Sequence, residues 1–321
     1  MNIGFKLLVA AAFSVAALPA SYASTDFPDK AVRIIVPYAA GGGADAAARL
    51  IGKRLGEVLA QPVVIENRAG AGGAIGAANV ASAKPDGYTL LFDAASFTIN
   101  PFIHKLSFKP ADLKPLLQAV VMPDILVVAS GSPYNTLEEL LVDAKDPNSK
   151  VSYASYGVGS TAHMLGELLN IEAGVQMLHV PYRGGAPAIA DLIGGQVSSY
   201  FASAASSLQL VQASRLKPLA VTSPQRMPEL PDVPTVRELG LAALETMEWN
   251  GFFVPVDTPQ AIQELLEKAL REAVLSPEVQ EGLKKMGLTP VARSSAEFQK
   301  VVETDMAKWE KVIKQANVTA Q

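Results

Sequence analysis

The chain of 321 residues contains no cysteine. This absence excludes thiol catalysis, thiolate metal sites and disulfide cross-links, so the fold must be stabilised by packing. Basic residues are not in excess either, since 27 Lys and Arg stand against 31 Asp and Glu. A nucleic-acid-binding protein needs a basic face, so this composition argues against nucleic acid as a partner.

Long apolar runs are missing beyond the N-terminus, because no later stretch reaches the ~20 apolar residues that cross a bilayer. The first 23 residues are typical of a secretory signal: Lys6 is followed by an apolar run over residues 7–18 and by the small residues Ser21 and Ala23. We therefore expect cleavage after Ala23 and export to the periplasm. A retained membrane anchor is the alternative interpretation.

Apolar and β-branched runs alternate with segments of helical periodicity over most of the chain. The runs predict strands at Ala31–Val36, Pro62–Glu66, Tyr88–Phe92, Ile125–Ala129, Val151–Ala154, Val175–Val180, Gln196–Phe201 and Leu216–Thr222. Helices are predicted from about Asp45, at Thr136–Ala144, after Pro187, and at Pro259–Val274, Pro277–Met286 and Ser295–Ala316. Such alternation predicts an α/β fold with mostly parallel sheets. We divide it into a first lobe of residues 24–123 and 226–321 and a second lobe of residues 124–225.

Three loops rich in glycine each follow a predicted strand and open a predicted helix. They are Tyr38–Asp45 (YAAGGGAD), Tyr156–Thr161 (YGVGST) and Tyr182–Pro187 (YRGGAP). The first amides of a helix have no internal partner and carry partial positive charge, and glycine lets an anion approach them closely. Each loop alone is equally explained as a tight turn. Three of them, on both predicted lobes, favour an anion site between the lobes.

Two charged residues beside these loops have competing interpretations. Asp45 stands at a helix start, where a carboxylate caps amides more often than it meets a ligand. Arg183 either pairs with a ligand carboxylate or is a solvated surface charge.

A rival site is the segment Gly70–Gly76, with Asp93 at the end of the next predicted strand. It partly mimics a dinucleotide-binding fingerprint, but Gly72 and Gly76 are one residue further apart than that motif requires. An exported nucleotide-dependent enzyme is therefore the alternative function.

The sequence lacks the motifs of nucleophilic hydrolysis and of metal binding. There is no G-x-S-x-G nucleophile elbow, and Ser160 and His163, three residues apart on one helix, do not form a nucleophile–base pair. The histidines His104, His163 and His179 show no metal-ligand spacing, so we expect no metal and no cofactor.

Seven segments occur in the order typical of a known family. They are FPDKAVRIIVPYAAGGGAD, VVIENRAGAGGAIGAANVASAKPDGYTLL, GVGSTAHMLGELL, HVPYRGGAPAIADLIGGQV, LAVTSPQRMPELPDVPTVRELG, EWNGFFVPVDTP and EFQKVVETDMAKWEKVIKQANV. In these segments the chain resembles the tripartite tricarboxylate transporter substrate-binding proteins, the Bug-type receptors of the Gram-negative periplasm.

The resemblance implies a two-lobed periplasmic binding protein, type II-like, that closes on a small carboxylate and is not an enzyme. Main-chain amides and ordered waters at Ala39–Asp45 would hold the carboxylate, and the second-lobe loops with Ser96–Thr98 would complete the site. Its implied partners are transporter membrane subunits or a sensor protein, and the receptor is expected to be a monomer. The expected ligand-binding residues are Tyr38, Ala39, Gly41, Gly42, Gly43, Ala44, Asp45, Ser96, Phe97, Thr98, Tyr156, Gly157, Gly159, Ser160, Thr161, His163, Tyr182, Arg183, Gly184, Gly185, Ser203 and Ala204.

Two positions depart from the family's pattern. Ala44 stands where a hydroxyl or amide side chain is frequent, so one donor is missing. Ser203–Ala205 stand where many members carry an aspartate that can meet an ammonium group, which argues against an amino-acid ligand. The sequence therefore favours a dicarboxylate or an aromatic carboxylate, with Tyr38, Phe97 and Tyr156 as walls of the cleft, although aromatic residues of this kind more often belong to the core.

Overall fold

The computed structural model describes residues 27–319, and the predicted signal peptide lies outside this range. The strands are β1 (Val32–Val36), β2 (Val63–Asn67), β3 (Thr89–Ala94), β4 (Leu113–Met122), β5 (Asp124–Ala129), β6 (Ser152–Ser155), β7 (Leu178–Pro181), β8 (Ser199–Ser203), β9 (Leu216–Val221), β10 (Glu248–Pro255) and β11 (Thr289–Arg293). The helices are α1 (Gly43–Leu59), α2 (Ala74–Ala81), α3 (Asn100–Ile103), α4 (Leu137–Ala144), α5 (Thr161–Ala173), α6 (Gly185–Ile193), α7 (Ala204–Gln212), α8 (Gln260–Leu275), α9 (Pro277–Lys285) and α10 (Ser295–Ala316).

Local sequence accounts for many of these elements. In α1, Ala47, Ile51 and Leu55 recur at helical spacing and are fully buried, whereas Arg49 on the other side is exposed. The Thr136 hydroxyl accepts a hydrogen bond from the Glu139 amide and begins α4, as the sequence predicts. A reciprocal capping box between Ser294 and Glu297 begins α10.

The strands form two sheets of similar plan. The six-stranded sheet has the order β11-β4-β10-β3-β1-β2, and the five-stranded sheet has the order β7-β6-β8-β5-β9. In the first sheet β2, β1 and β3 are parallel and β10 runs antiparallel beside β3. In the second, β7, β6 and β8 are parallel and β5 runs antiparallel beside β8.

The two-lobed α/β fold is confirmed, but its sheets are mixed rather than mostly parallel. The antiparallel strands β10 and β5 are the first strands of each lobe after the chain has crossed from the other. They enter at the edge where the parallel strands end, so they must run in the opposite direction. Strands β4, β10 and β11 were not predicted from the sequence.

The lobe boundaries stay a proposal. The sharing of β1–β4, β10 and β11 in one sheet and β5–β9 in the other supports a crossing at 123/124. Apolar side chains between Met227 and Leu244 pack into the second-lobe core, although the sequence assigns residues from 226 onward to the first lobe. We therefore propose that the return crossing lies over residues 245–247, just before β10.

The last long helix connects the cores of both lobes. Phe298 and Val302 of α10 pack among first-lobe residues, while Trp309, Val312 and Ile313 pack into the second-lobe core. The proposed lobes are therefore joined by two chain crossings, by α10, and by Ile99 and Ile103 of the first lobe, which pack into the second-lobe core. Of the helices within residues 27–319, none is both long and apolar enough to cross a membrane.

Candidate functional site

The first glycine loop leads from β1 into α1. Residues 39–43 are exposed, and Gly42 occupies the N-cap position of α1 without a side chain that accepts from the helix amides. The first amides of α1 therefore face the surface without an internal carbonyl partner. Gly41 has a φ of +83°, a left-handed conformation that glycine adopts without strain. Ala44 is half-buried and packs against the first-lobe core.

Asp45 is bound within the loop and does not face an open cleft. It is 3% exposed, and its Oδ2 accepts from the Gly41 amide at 2.9 Å and from Arg49 Nε at 3.0 Å. Asn67 Nδ2 donates to the other oxygen at 2.9 Å. Burial raises the pKa of Asp45, but the hydrogen bonds from Arg49, Gly41 and Asn67 outweigh it and hold the pKa below its ordinary value. The carboxylate thus shapes the loop, which is the capping interpretation.

The hydroxyl of Tyr38 is held by the buried carboxylate of Asp93. This hydroxyl donates to Asp93 Oδ1 at 2.7 Å and lies 2.8 Å from Ser96 Oγ, which completes the contact as donor. Burial raises the pKa of Asp93 to about 7, against the hydrogen bonds from Tyr38 and Ala94. Tyr38 and Ser96 are thus brought together as predicted neighbours of the first loop. The role of Asp93 in orienting Tyr38 was not foreseen, because only tertiary structure brings these residues into contact.

Two residues of the segment after β3 belong to the core. The Phe97 ring is 3% exposed and packs on Phe253 with ring centroids 4.6 Å apart. The Thr98 hydroxyl donates to the Ala95 carbonyl at 2.6 Å and is fully buried. The Phe97 ring fills the space between the first-lobe sheet and α10, which argues against it as a wall of the cleft.

The rival glycine segment is occupied by protein atoms. A Cβ atom on Gly76 would lie 2.6 Å from Pro37 Cβ, and one on Gly73 would lie 3.2 Å from Asp93 Oδ1. These glycines allow α2 to pack against the end of β1. Asp93 is fully buried under Tyr38, so its carboxylate is not free to meet a ribose. The contacts argue against a dinucleotide site here.

The second glycine loop, Tyr156–Thr161, connects β6 to α5. Gly157 and Gly159 have φ values of +146° and +78°, and the Ser160 hydroxyl accepts from the His163 amide at 3.3 Å as the cap of α5. The Thr161 amide donates to Tyr156 Oη at 3.2 Å. Tyr156 in turn donates to Glu248 at the start of β10, so this loop contacts the other lobe directly.

His163 is a structural residue of the second lobe. Its Nδ1 accepts from the Gly159 amide at 3.2 Å, and its ring stacks on His179 with centroids 3.8 Å apart. Burial, with the charge of His179, lowers the pKa of His163 to about 3, so the ring is neutral at physiological pH. The expected ligand contact is not what the geometry shows, because the ring supports the loop from inside the lobe.

The third loop, Tyr182–Gly185, connects β7 to α6. Gly184 is the N-cap of α6, again without a side-chain cap, and has a φ of +117°. Tyr182 donates to Asp191 Oδ2 at 2.8 Å, and Arg183 is exposed.

Strand β8 ends at Ser203, whose Oγ lies 3.1 Å from Ser206 Oγ. The Ala204 amide donates to the Pro123 carbonyl at 2.9 Å, so Ala204 is held at the first lobe crossing. Both residues therefore lie where the chain enters the second lobe.

Two acids that were not predicted as site residues lie close to the second-lobe loops. Asp124 begins β5, and Glu248 begins β10. Asp124 belongs to no recognisable local motif, and Glu248 is the first residue of the family segment EWNGFFVPVDTP, which does not mark it as a site residue. Each acid stands immediately after a proposed crossing between the lobes. Within residues 27–319, no group of three or more metal-ligating side chains is placed to hold a metal ion.

Comparison with known proteins identifies the family. The sequence pattern of the tripartite tricarboxylate transporter family receptor matches residues 47–318. The solved structure of the periplasmic binding protein BugD is 34% identical, covers 92% of this chain and all of its own, and has a TM-score of 0.82. Rpa4515 of R. palustris, solved with adipate, is 33% identical with 92% and 100% coverage and a TM-score of 0.84.

MatC from Rhodopseudomonas palustris, solved with bound malate, is 30% identical over 89% of this chain and 100% of its own, with a TM-score of 0.80. The family pattern spans most of the chain, and the neighbours agree with it in both sequence and fold. The chain belongs to the tripartite tricarboxylate transporter receptors, a family of periplasmic solute-binding proteins.

Proposed function

We propose that this protein captures a small carboxylate between its two lobes and releases it unchanged, without acting as an enzyme. The observation that carries the proposal is the pair of helix starts without side-chain caps on opposite lobes. Gly42 is the N-cap of α1 and Gly184 is the N-cap of α6, and each follows the carboxyl end of a parallel strand. Helix amides exposed in this way are suited to a carboxylate.

The first glycine loop is proposed as the primary carboxylate site. Its exposed glycines leave the amides accessible, and Asp45 holds the Gly41 amide so that the loop keeps its shape. Ala44 adds no hydrogen-bond donor, so the grip rests on backbone amides and bridging water, which costs little affinity. Gly157–Thr161 and Tyr182–Gly185 are proposed to close on the ligand from the second lobe.

The ligand class is proposed from the neighbours and from the loops together. Receptors of this family bind small carboxylates and work with transporter membrane subunits. Two similar structures hold adipate and malate, which supports a dicarboxylate here. We further propose export by the signal peptide with cleavage after Ala23, and a monomeric receptor that delivers its ligand to transporter membrane subunits or to a sensor.

Thermal unfolding in the presence of candidate ligands tests the proposal. The panel contains adipate, malate, succinate and benzoate, with NAD and ATP as probes of the rival nucleotide function. A ligand present at 100 times its Kd adds ~2.7 kcal/mol to the free energy of unfolding. A shift with a carboxylate and none with nucleotides is the expected result. A shift with NAD or ATP alone would overturn it.

A further inference from the structure

Two acids begin the two strands that follow the lobe crossings. Asp124, at the start of β5, is fully buried, and neither of its carboxylate oxygens has a hydrogen-bond partner. Glu248, at the start of β10, is half-buried and accepts from Tyr156. In residues 27–319, no lysine, arginine or histidine forms an ion pair with either acid. Buried acids of proteins are normally paired, so this pair lacks a cation.

A buried hydroxyl at the same place also lacks a partner. Thr161, the first residue of α5, is 1% exposed, and its Oγ1 has no hydrogen-bond partner. Its amide donates to Tyr156, the phenol that binds Glu248. An unpartnered buried hydroxyl at the start of α5 therefore lies beside the phenol that binds Glu248.

The acids lie beside the second-lobe glycine loops. Tyr156, the first residue of the second glycine loop, donates to Glu248, and Glu248 stands opposite Met122, two residues before Asp124. The charges of Glu248 and Asp124 add to burial in raising the pKa of both Tyr156 and Tyr200. Tyr200 also marks the start of α6, because a Cβ atom on Gly185 would lie 3.3 Å from Tyr200 Oη. The acid pair thus belongs to the proposed cleft and not to a remote part of the core.

The ionised forms of the two acids are disfavoured where they lie. Burial and the charge of Glu248 raise the pKa of Asp124 well above its ordinary value. Burial also raises the pKa of Glu248, although the hydrogen bond from Tyr156 opposes it. Two carboxyl groups close together in a buried site cannot both ionise at low cost. A cation brought in by a ligand would favour their ionised forms and displace a proton that they share.

We infer that the ligand carries, at the end remote from its carboxylate, a cationic nitrogen of the ammonium type that is received by Asp124 and Glu248. The inference rests on the proposed function, since it describes the other end of the same ligand. It replaces the sequence-based argument against an amino-acid ligand, which depended on Ser203–Ala205. In the sheet, Asp124 stands directly opposite Ser203 on the neighbouring strand, so an acid occupies this place from β5.

Calorimetric titration of the full receptor with matched ligand pairs tests the inference. The pairs are 4-aminobutyrate with butyrate, and 5-aminopentanoate with pentanoate. At pH 7 we expect the amine-bearing member of at least one pair to bind at least tenfold more tightly than its amine-free partner. We also expect its binding to release a proton to the buffer, seen as a dependence of the measured heat on the buffer's ionisation enthalpy, and its affinity to rise from pH 6 to pH 8.

Substitution of the acids identifies the residues responsible. Asp124→Asn and Glu248→Gln keep the shape of each side chain, and each is expected to reduce the amine preference at least fivefold. Asp305→Asn is the matched control, because Asp305 is a half-buried acid of α10 that accepts from Trp249 on the first lobe, and it should keep the preference. Melting curves show that each variant is folded.

The outcomes separate this inference from the proposed function. Tight binding of amine-free carboxylates, with weaker binding of both amine-bearing partners, overturns the inference and leaves the carboxylate receptor standing. A preference for amines that persists in both folded acid variants also overturns the assignment to Asp124 and Glu248. Absence of binding by every carboxylate, with or without an amine, overturns both.

Discussion

The three successive glycines of the first loop differ in whether the backbone conformation requires glycine at that position. Gly41 needs its left-handed backbone, whereas Gly42 and Gly43 do not have a positive φ. A Cβ atom on Gly42 would meet only the Ala39 carbonyl oxygen, at 3.4 Å, and one on Gly43 would meet nothing within 4 Å. Local packing therefore does not require glycine at the last two positions, which fits a role in admitting a ligand.

Gly42→Val is expected to fold and to lose at least 100-fold in carboxylate affinity, because the new side chain covers the amides at the start of α1. The measurement is a calorimetric titration with the carboxylate found in the thermal panel. Gly131→Val is the matched control: Gly131 is exposed, and a Cβ atom there would meet nothing within 4 Å. Undiminished affinity in a folded Gly42→Val protein would remove this loop from the site.

Asp93→Asn tests the buried acid beneath Tyr38. Burial raises the pKa of Asp93 to about 7 in the folded protein, from an ordinary 3.8. The folded state therefore holds the proton more tightly than the unfolded chain. Its contribution to stability is complete below about pH 4 and is lost as the pH rises to about 7, a loss of ~2–4 kcal/mol.

Asparagine carries no such proton, so Asp93→Asn should gain stability relative to the wild type between pH 4 and pH 8. Urea unfolding across this range measures the difference. Asp257→Asn, a change at an exposed carboxylate, should follow the wild-type profile. Parallel profiles for Asp93→Asn and the wild type would show that Asp93 does not hold a proton in the folded state.

At the scale of elements, the start of α1 depends on one carboxylate that joins three parts of the chain. Asp45 binds the Gly41 amide of the loop, Arg49 one turn further along α1, and Asn67 at the end of β2. Asn67 also donates to the Tyr38 carbonyl at 3.1 Å. The conformation of the loop is therefore set by contacts between elements as well as by its glycines.

Asp45→Ala is expected to lower the free energy of unfolding by about 1–3 kcal/mol, because it removes a cap and leaves the donors of Gly41, Arg49 and Asn67 without this acceptor. The hydrogen bonds hold the pKa of Asp45 below its ordinary value, so this stabilisation is present above pH 4 and declines as the pH falls further. Urea unfolding at pH 7 and pH 3 measures both effects. Equal losses at the two pH values, or a loss no larger than that of Asp257→Ala, would contradict the role of the ionised carboxylate.

At the scale of the whole molecule, the two proposed lobes are connected by chain crossings and by side-chain packing, which includes Ile99 and Ile103 of the first lobe in the second-lobe core. The chain crosses at Pro123 and again just before β10, α10 packs into both cores, and Tyr156 of the second lobe binds Glu248 of the first. Each crossing joins strands that belong to different sheets, which suits a hinge between two rigid bodies.

Saturation with ligand is expected to draw the lobes together and to reduce the radius of gyration by roughly 1 Å, as hinge closure does in periplasmic binding proteins. Small-angle scattering with and without the carboxylate found in the thermal panel measures the change. Gly42→Val, which should not bind, serves as the control and should show no compaction. An unchanged radius in the saturated wild type would contradict closure.

The sequence alone determined the elements whose signals are local. Helical periodicity placed α8, α9 and α10 within a residue or two of their observed bounds, and β-branched runs placed β1, β2 and β9. The ordered family segments predicted the two-lobed fold, and the glycine loops marked strand ends and helix starts. These features follow from backbone conformation and from the burial of one face, which neighbouring residues encode.

Only the tertiary structure decided which distant residues meet. Strand β10 lies between β3 and β4 through pairings with residues more than 100 positions away in the chain, so its antiparallel direction has no local signature. The same holds for Phe97, whose ring joins the core, and for His163, whose ring stacks on His179. Asp124 and Glu248 are ordinary acids in the sequence; they become a buried pair because both crossings between the lobes end at the same edge of the cleft.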